Sequence, residues 1–214
     1  AILGGSGCGK TVLLKHMIGL YRPLAGRVLI AGEDIAAAEG ARRLAILKRL
    51  GEMYQLGALF GNMTLRENIR LPLEEYTDLP DEAMDLIAET KLRLVNLGGA
   101  GHRTPSEISG GMMKRAAIAR ALALDPEIVF LDEPAGGLDP VTSAELDELV
   151  LRLSDSLGIT FVVITHELPS IFAIADRCIM LDKRVKGIVA EGEPADLRDH
   201  SPDPRVRQFF NRAA

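Results

Sequence analysis

Four short segments place residues that can act on a phosphate. GGSGCGKT, residues 4 to 11, satisfies the spacing G-x-x-x-x-G-K-[ST] at Gly4, Gly9, Lys10 and Thr11. The glycines let backbone N–H groups wrap an anion, Lys10 reaches the outer phosphate oxygens, and the Thr11 hydroxyl suits Mg²⁺. The nucleotide-contacting set is thus Gly4, Gly5, Ser6, Gly7, Cys8, Gly9, Lys10, Thr11 and Val12; the bland alternative is a glycine-rich turn before a helix. EIVFL, residues 127 to 131, runs into Asp132 and Glu133. The first carboxylate suits Mg²⁺ and the second can polarise a water in line with a γ-phosphate, or simply cap a helix. TFVVI, residues 160 to 164, runs into Thr165 and His166. His166 can contact a γ-phosphate and position that water, though a lone histidine at a strand end is often only a satisfied polar residue. Gln55, after GEMYQ, can coordinate Mg²⁺ or water. His16, His102 and His200 have no such neighbours and receive no role.

The fourth segment is EISGGMMKRAAIARAL, residues 107 to 122. Ser109, Gly110 and Gly111 precede an alanine-rich run that reads as a helix, so bare N–H groups and a positive dipole end face outward. The loop at Lys10 already serves one set of phosphates. Ser109, Gly110 and Gly111 are therefore expected to face a γ-phosphate held by a second copy of the chain, in a head-to-tail pair with two shared nucleotides. The alternative is a serine-capped helix start with no dependence on a second copy.

These segments need a sheet behind them. The apolar, β-branched runs 127–131 and 160–164 read as buried parallel strands, and ligands collect at the carboxyl ends of such strands. AIL, before the loop, is a third. The pattern predicts helices over 11–20, 41–50, 80–97, from Ser109 onward, and after Asp139-Pro140. It predicts strands over 26–35 (broken at Gly32), 51–55 (ending on Gln55), 177–181 and 186–192. Thr64 reads as a helix cap in a turn-rich stretch that includes Pro72. The fold expected is α/β, a P-loop NTPase with a RecA-like parallel core at 1–55 and 118–200. A helical subdomain interrupts it at 56–117, and a tail follows at 201–214. The chain has no initiator Met and only three residues before the loop, from which upstream strands of an antiparallel β subdomain are expected to be missing.

Composition removes several classes. The 214 residues support one substantial core. A net charge of −5 argues against a nucleic-acid partner, which favours a basic face. No apolar run approaches the roughly 18 residues of a membrane span, so another subunit would do any spanning. Cys8 and Cys178 suggest neither a metal site nor a disulfide framework, which favours a reducing, cytoplasmic setting. There is no signal-peptide pattern.

Taken together, the chain resembles the ATP-binding subunit of an ABC transporter over its whole length. GGSGCGKT resembles the Walker A motif, YQLGALF the Q-loop, ISGGM the signature, IVFLDEP the Walker B with its glutamate, GGLDP the D-loop and ITHE the H-loop. Within that superfamily it is similar to the Mla/Mce-type subunits that power phospholipid trafficking in Gram-negative envelopes. YQLGALFGNMTLRENIRLPLEEYTDLP, SGGMMKRAAIARAL with Met112 where many relatives have Gln, and SPDPRVRQFF carry that likeness. The resemblance implies ATP and Mg²⁺ as ligands and catalytic roles for Glu133, His166, Gln55 and Lys10. It implies Thr11, Gln55 and Asp132 around the metal, and Asp139 at a dimer contact. It implies a homodimer docked on a membrane permease at the cytoplasmic face of the inner membrane, with a lipid-binding Mce-type subunit and a small STAS-type regulator. The permease would dock on GALFGNMTLRENI, and the tail from Pro202 to Phe210 would reach a neighbour or pack on its own domain. Two departures stand out. Ile108 replaces the commoner Leu, and the aromatic that stacks on adenine is absent, which implies weak ATP binding by the chain as given. A permease-free ABC-type ATPase and a module that has lost activity remain as rivals. The short gap between the two motif halves disfavours the first, and the presence of Lys10, Glu133 and His166 disfavours the second.

Overall fold

The computed structural model of the chain describes residues 1–55 and 57–211; Leu56 and residues 212–214 lie outside the described residues. In chain order the elements are β1 (Ile2–Gly4), α1 (Lys10–Met17), β2 (Leu29–Ile30), β3 (Glu33–Asp34), α2 (Gly40–Leu47), β4 (Leu50–Met53), α3 (Leu65–Tyr76), α4 (Asp81–Leu94), α5 (Gly110–Ala121), β5 (Ile128–Asp132), α6 (Pro140–Leu157), β6 (Thr160–Ile164), α7 (Leu168–Ile174), β7 (Cys178–Asp182), β8 (Gly187–Gly192), α8 (Pro194–His200) and α9 (Pro204–Asn211).

The sheet runs β4-β5-β6-β1-β7-β8. Its first five strands pair in parallel, and β8 closes one edge antiparallel to β7. Helices cover both faces, which is why β5 and β6 are apolar on both sides rather than alternating. The fold is the α/β one expected. β1, β5 and β6 are neighbours in the sheet, and all three point the same way. Parallel pairing therefore delivers the ends of the loop-bearing, carboxylate-bearing and histidine-bearing strands to one edge.

Local chemistry moved several predicted boundaries. The first helix stops at Met17 rather than 20, because Gly19 takes φ 75° and turns the chain. The stretch 26–35 is a tight hairpin rather than one broken strand, with Ala31 and Gly32 both at positive φ between β2 and β3. That is the backbone a two-residue hairpin turn demands. The second helix ends at Leu47, and Leu50 already pairs with Ile128 in β4. The predicted strand over 51–55 is corrected as well. β4 ends at Met53, and Gln55 lies in the turn beyond, closed by Gly57 N–H donating to the Tyr54 carbonyl. The helix predicted to 97 ends at Leu94, and Asn96 adopts φ 60°. α3 is capped by Thr64 as expected, through a reciprocal capping box with Glu67, and continues through Pro72.

One apolar cluster joins the insertion to the sheet. It includes Ile69 of α3, Ala88 and Leu92 of α4, Ile118 of α5, and Val129 and Leu131 of β5. A helical residue such as Leu92, buried completely, contributes about 1.5–3 kcal/mol. α5 can lie close to β4 because Gly51 has no side chain there. A Cβ at that position would stand 2.2 Å from the Ala121 carbonyl oxygen. Gly51→Ala should therefore cost about 3 kcal/mol, at the upper end of overpacking penalties. Urea unfolding would measure it, and a loss below about 0.5 kcal/mol would mean that α5 is not held against β4 in this way. The tail packs on its own chain, with Val206 and Phe210 of α9 buried beside Leu168, Ile171 and Met180.

Candidate active site

The loop from Gly4 to Lys10 leaves β1 at φ 145° for Gly4, with Gly7 and Gly9 also at positive φ. The Leu181 carbonyl and the Cys8 sulfur crowd Gly4, so only glycine fits at that exit. Gly5, Gly7 and Gly9 face open space. α1 then starts at Lys10 with no side-chain cap, so the first N–H groups of the helix have no intrahelical partner. This is an open concave row of donors at a helix N-terminus, suited to a polyphosphate. Lys10 Nζ folds over the loop and donates to the Gly4 carbonyl at 2.7 Å and to the Gly5 carbonyl at 3.4 Å. Ser6, Thr11 and Val12 are exposed at its rim.

Asp132 ends β5 and is buried. Burial, and then the adjacent Glu133 charge, push its carboxyl above the usual carboxylate range, against the pull of Lys10 and Lys114. A cation would relieve both effects. A carboxylate oxygen of this kind suits Mg²⁺, and Thr11, whose hydroxyl is the second oxygen assigned to the metal, is exposed in the first turn of α1. Gln55, the third residue assigned to the metal, is exposed in its turn beyond β4.

Glu133 is in the left-handed region at φ 48°, uncommon for a residue with a side chain. Its backbone is pinned on both sides. Its N–H donates to the Ile164 carbonyl at 2.8 Å, and its carbonyl accepts from Gly136 N–H at 3.1 Å. The turn aims the side chain at His166, whose Nδ1 lies 2.8 Å from Oε1. The other oxygen, Oε2, is buried with no partner among the described residues. Unsatisfied buried carboxylate oxygens are rare, and this one keeps its acceptor capacity free. Glu133 does not cap a helix; α6 starts later and is capped by Asp139, which accepts from the N–H groups of Val141 and Thr142. The His166 side chain is 61% exposed, open to a ligand as well as to Glu133.

Ser109 and Gly110 are exposed at the start of α5. Ser109 Oγ accepts from Met112 N–H at 3.3 Å, a long bond that is readily exchanged. Gly111 is required by packing, since a Cβ there would meet Thr142 Cγ2 at 2.6 Å. The structure thus brings the Lys10 loop, Asp132, Glu133 and His166 to one edge of the sheet, whereas Ser109 and Gly110 form a separate outward-facing tip.

Two further basic residues, both on α5, also belong here. Lys114 is buried and donates to the carbonyls of Gln55 and Glu133. Arg120 donates to the carbonyls of Ala58 at 2.7 Å and Gly57 at 3.1 Å. A usable signal was present. Lys114 lies three residues after Gly111 and four before Ile118, on the buried stripe of α5, where a lysine is out of place without a partner. Beyond this loop is a cleft of about 680 Å³, lined by Leu50, Tyr54, Phe60, Pro72, Tyr76 and Leu124. Glu52 lies in its wall, with its carboxyl held above the usual range by burial.

Comparison with known proteins follows the same lines. A family profile described as ABC transporter matches residues 1–136. The chain is 43% identical over 215 residues to the intermembrane phospholipid transport system ATP-binding protein MlaF of Escherichia coli, covering all of this chain and 78% of the relative. It is 42% identical over 210 residues to a protein of Mycobacterium leprae named as a probable ribonucleotide transport ATP-binding protein, mkl, covering 98% of this chain and 60% of that one. Among solved structures, the ATP-binding cassette MJ0796, a dimer in a post-hydrolysis state with ADP and Pi, superposes with a TM-score of 0.79 at 29% identity. It covers 90% of this chain and 83% of that one.

Proposed function

The chain belongs to the ABC transporter family, and from that premise we propose that it is the ATP-hydrolysing subunit of a transporter that moves phospholipid between bacterial envelope membranes. One observation carries the hydrolytic reading: Glu133 holds one carboxylate oxygen against His166 and leaves the other buried and, among the described residues, unpaired, beside an open phosphate cradle. In this reading the N–H groups from Gly5 to Thr11 and the Lys10 ammonium hold the triphosphate of ATP. Glu133 Oε2 takes a proton from the attacking water, and His166, within reach of both Glu133 and the solvent-facing side, orients that water and contacts the γ-phosphate. Thr11, Asp132 and Gln55 would hold Mg²⁺, which when bound supplies charge neutralisation on the outer phosphates.

Ser109, Gly110 and Gly111 serve the nucleotide of a second copy. The exposure of Ser109 and Gly110 at a helix start, on a tip separate from the Lys10 loop, supports this division of labour, with Gly111 packed beneath them. Residues 56–117 act as the helical subdomain and residues 1–55 and 118–200 as the core. Among the described residues, no helix is long and apolar enough to cross a membrane. In this proposal a permease subunit holds the chain at the cytoplasmic membrane face and docks in the cleft beside the Gln55 loop. An Mce-type lipid-binding subunit and a STAS-type regulator complete the assembly in this proposal.

Phospholipid is favoured by the 43% identity to MlaF; the mycobacterial relative, at 42%, carries a different cargo in its name. Purification of the intact complex, followed by lipid extraction and an ATPase assay with and without EDTA, separates the two. The expected result is bound phospholipid, a co-purifying permease and turnover that chelation abolishes. Turnover that persists in EDTA would remove the metal assignment. A complex free of lipid whose turnover is stimulated by ribonucleotide would replace phospholipid as the cargo.

A further inference from the structure

α5 reaches back into the site it adjoins. Its Lys114 ammonium joins two main-chain carbonyls from distant parts of the chain, those of Gln55 and Glu133, the latter at 3.3 Å. Six residues on, Arg120 grips the same loop at Gly57 and Ala58, both at positive φ. The loop after β4 is thus fastened to α5 at three carbonyls.

Lys114 is 8% exposed, and both of these bonds go to neutral carbonyls rather than to a carboxylate. The charged groups facing it are Glu133 and Asp132; burial lowers its pKa against their pull. A buried ammonium held this way is costly, and an apolar side chain of similar volume often serves stability as well or better. Stability alone therefore does not account for a lysine between Gly111 and Ile118. What the cation adds is a link. Glu133 is held in a strained left-handed backbone, a conformation that persists only when its surroundings over-determine it. Lys114 is one of the three groups that do so, and it is the one that also holds Gln55.

We propose that Lys114 is a positioning residue that ties the Gln55 loop to the backbone of Glu133, so that a shift of the loop is transmitted to the carboxylate facing the water. The inference rests on the reading of Glu133 as the base. Displacements of about 1 Å in a reacting geometry cost as much as 10²-fold in rate, so a released Glu133 is a slow one.

The test uses the full-length protein with Lys114→Met, Lys114→Arg and, in parallel, Glu133→Gln. For Lys114→Met the expected outcome is a kcat lowered at least about 10-fold. Its KM for ATP should stay within about 3-fold, and its melting temperature should be unchanged or raised. Lys114→Arg, which can still donate to both carbonyls, should recover most of the lost kcat. Wild-type kcat in a folded Lys114→Met overturns the proposal, as does a loss that Lys114→Arg does not relieve. If Lys114→Met fails to fold, Lys114→Leu, which likewise has no donor for the two carbonyls, decides by the same criterion of kcat against KM. Should Glu133→Gln turn over normally, the reading of the base falls. If Glu133→Gln is dead and Lys114→Met is fully active, only the link falls.

Discussion

Glu133→Gln should stop ATP turnover while leaving ATP bound. The substitution keeps the shape of the side chain and puts an amide where Oε2 now stands. His166 retains an oxygen partner at the Oε1 position. The site facing the water, however, becomes a donor or a far weaker base, so the proton has nowhere to go. General bases contribute about 10²–10⁴-fold to rate, and a fall of at least 10²-fold in kcat is the expected outcome. Folding should not suffer, because removing the charge beside Asp132 relieves the repulsion that helps to raise the Asp132 pKa. With hydrolysis blocked, two copies sharing two nucleotides should accumulate. Sedimentation of the intact variant at saturating ATP would show dimers that revert to monomers when nucleotide is removed. A kcat within 10-fold of wild type would exclude Glu133 as the base.

Lys10→Ala should act on binding. In the structure the Lys10 ammonium satisfies itself on Gly4 and Gly5 of its own loop. Those are modest bonds at the rim, so the folded state loses little without them. A triphosphate offers the same cation charged oxygens, and hydrogen bonds to charged groups are worth about 1.5–3 kcal/mol. That is roughly a 10- to 100-fold rise in Kd for ATP, measurable by titration with a fluorescent nucleotide analogue, with the melting temperature of the free protein nearly unchanged. Equal affinities in the two proteins would mean that the loop does not hold the phosphates through Lys10.

The parts of the site that follow directly from spacing were legible in the sequence. GGSGCGKT, Asp132-Glu133 after EIVFL and His166 after TFVVI each end a strand, and the parallel sheet brings those three ends together at adjacent positions β5, β6 and β1. Less legible was anything set by the main chain. The hairpin at Ala31-Gly32 depends on two positive φ angles, and Ala31 gives no compositional hint of one. The exit of Gln55 from β4 depends on where pairing with β5 stops at Met53↔Leu131 and on what the loop finds to hold it. The left-handed Glu133 could not be read from its identity, because a glutamate at φ 48° is stable only through the contacts around it. Lys114 was hidden for a related reason. Its partners are carbonyl oxygens, which every residue carries, so no second side chain announces the pair. The stretch around Pro72 read as turn-rich, whereas α3 carries Pro72 in its interior and runs on to Tyr76.

The central claim is that each nucleotide lies between the Lys10 loop of one copy and the Ser109 tip of another. The most direct measurement is a structure of full-length Glu133→Gln with Mg²⁺ and ATP. The expected structure is a two-fold pair with Ser109 Oγ about 3 Å from a γ-phosphate oxygen of a nucleotide whose β- and γ-phosphates are gripped by the partner's loop. A closed, ATP-loaded assembly with Ser109, Gly110 and Gly111 turned to solvent would contradict it.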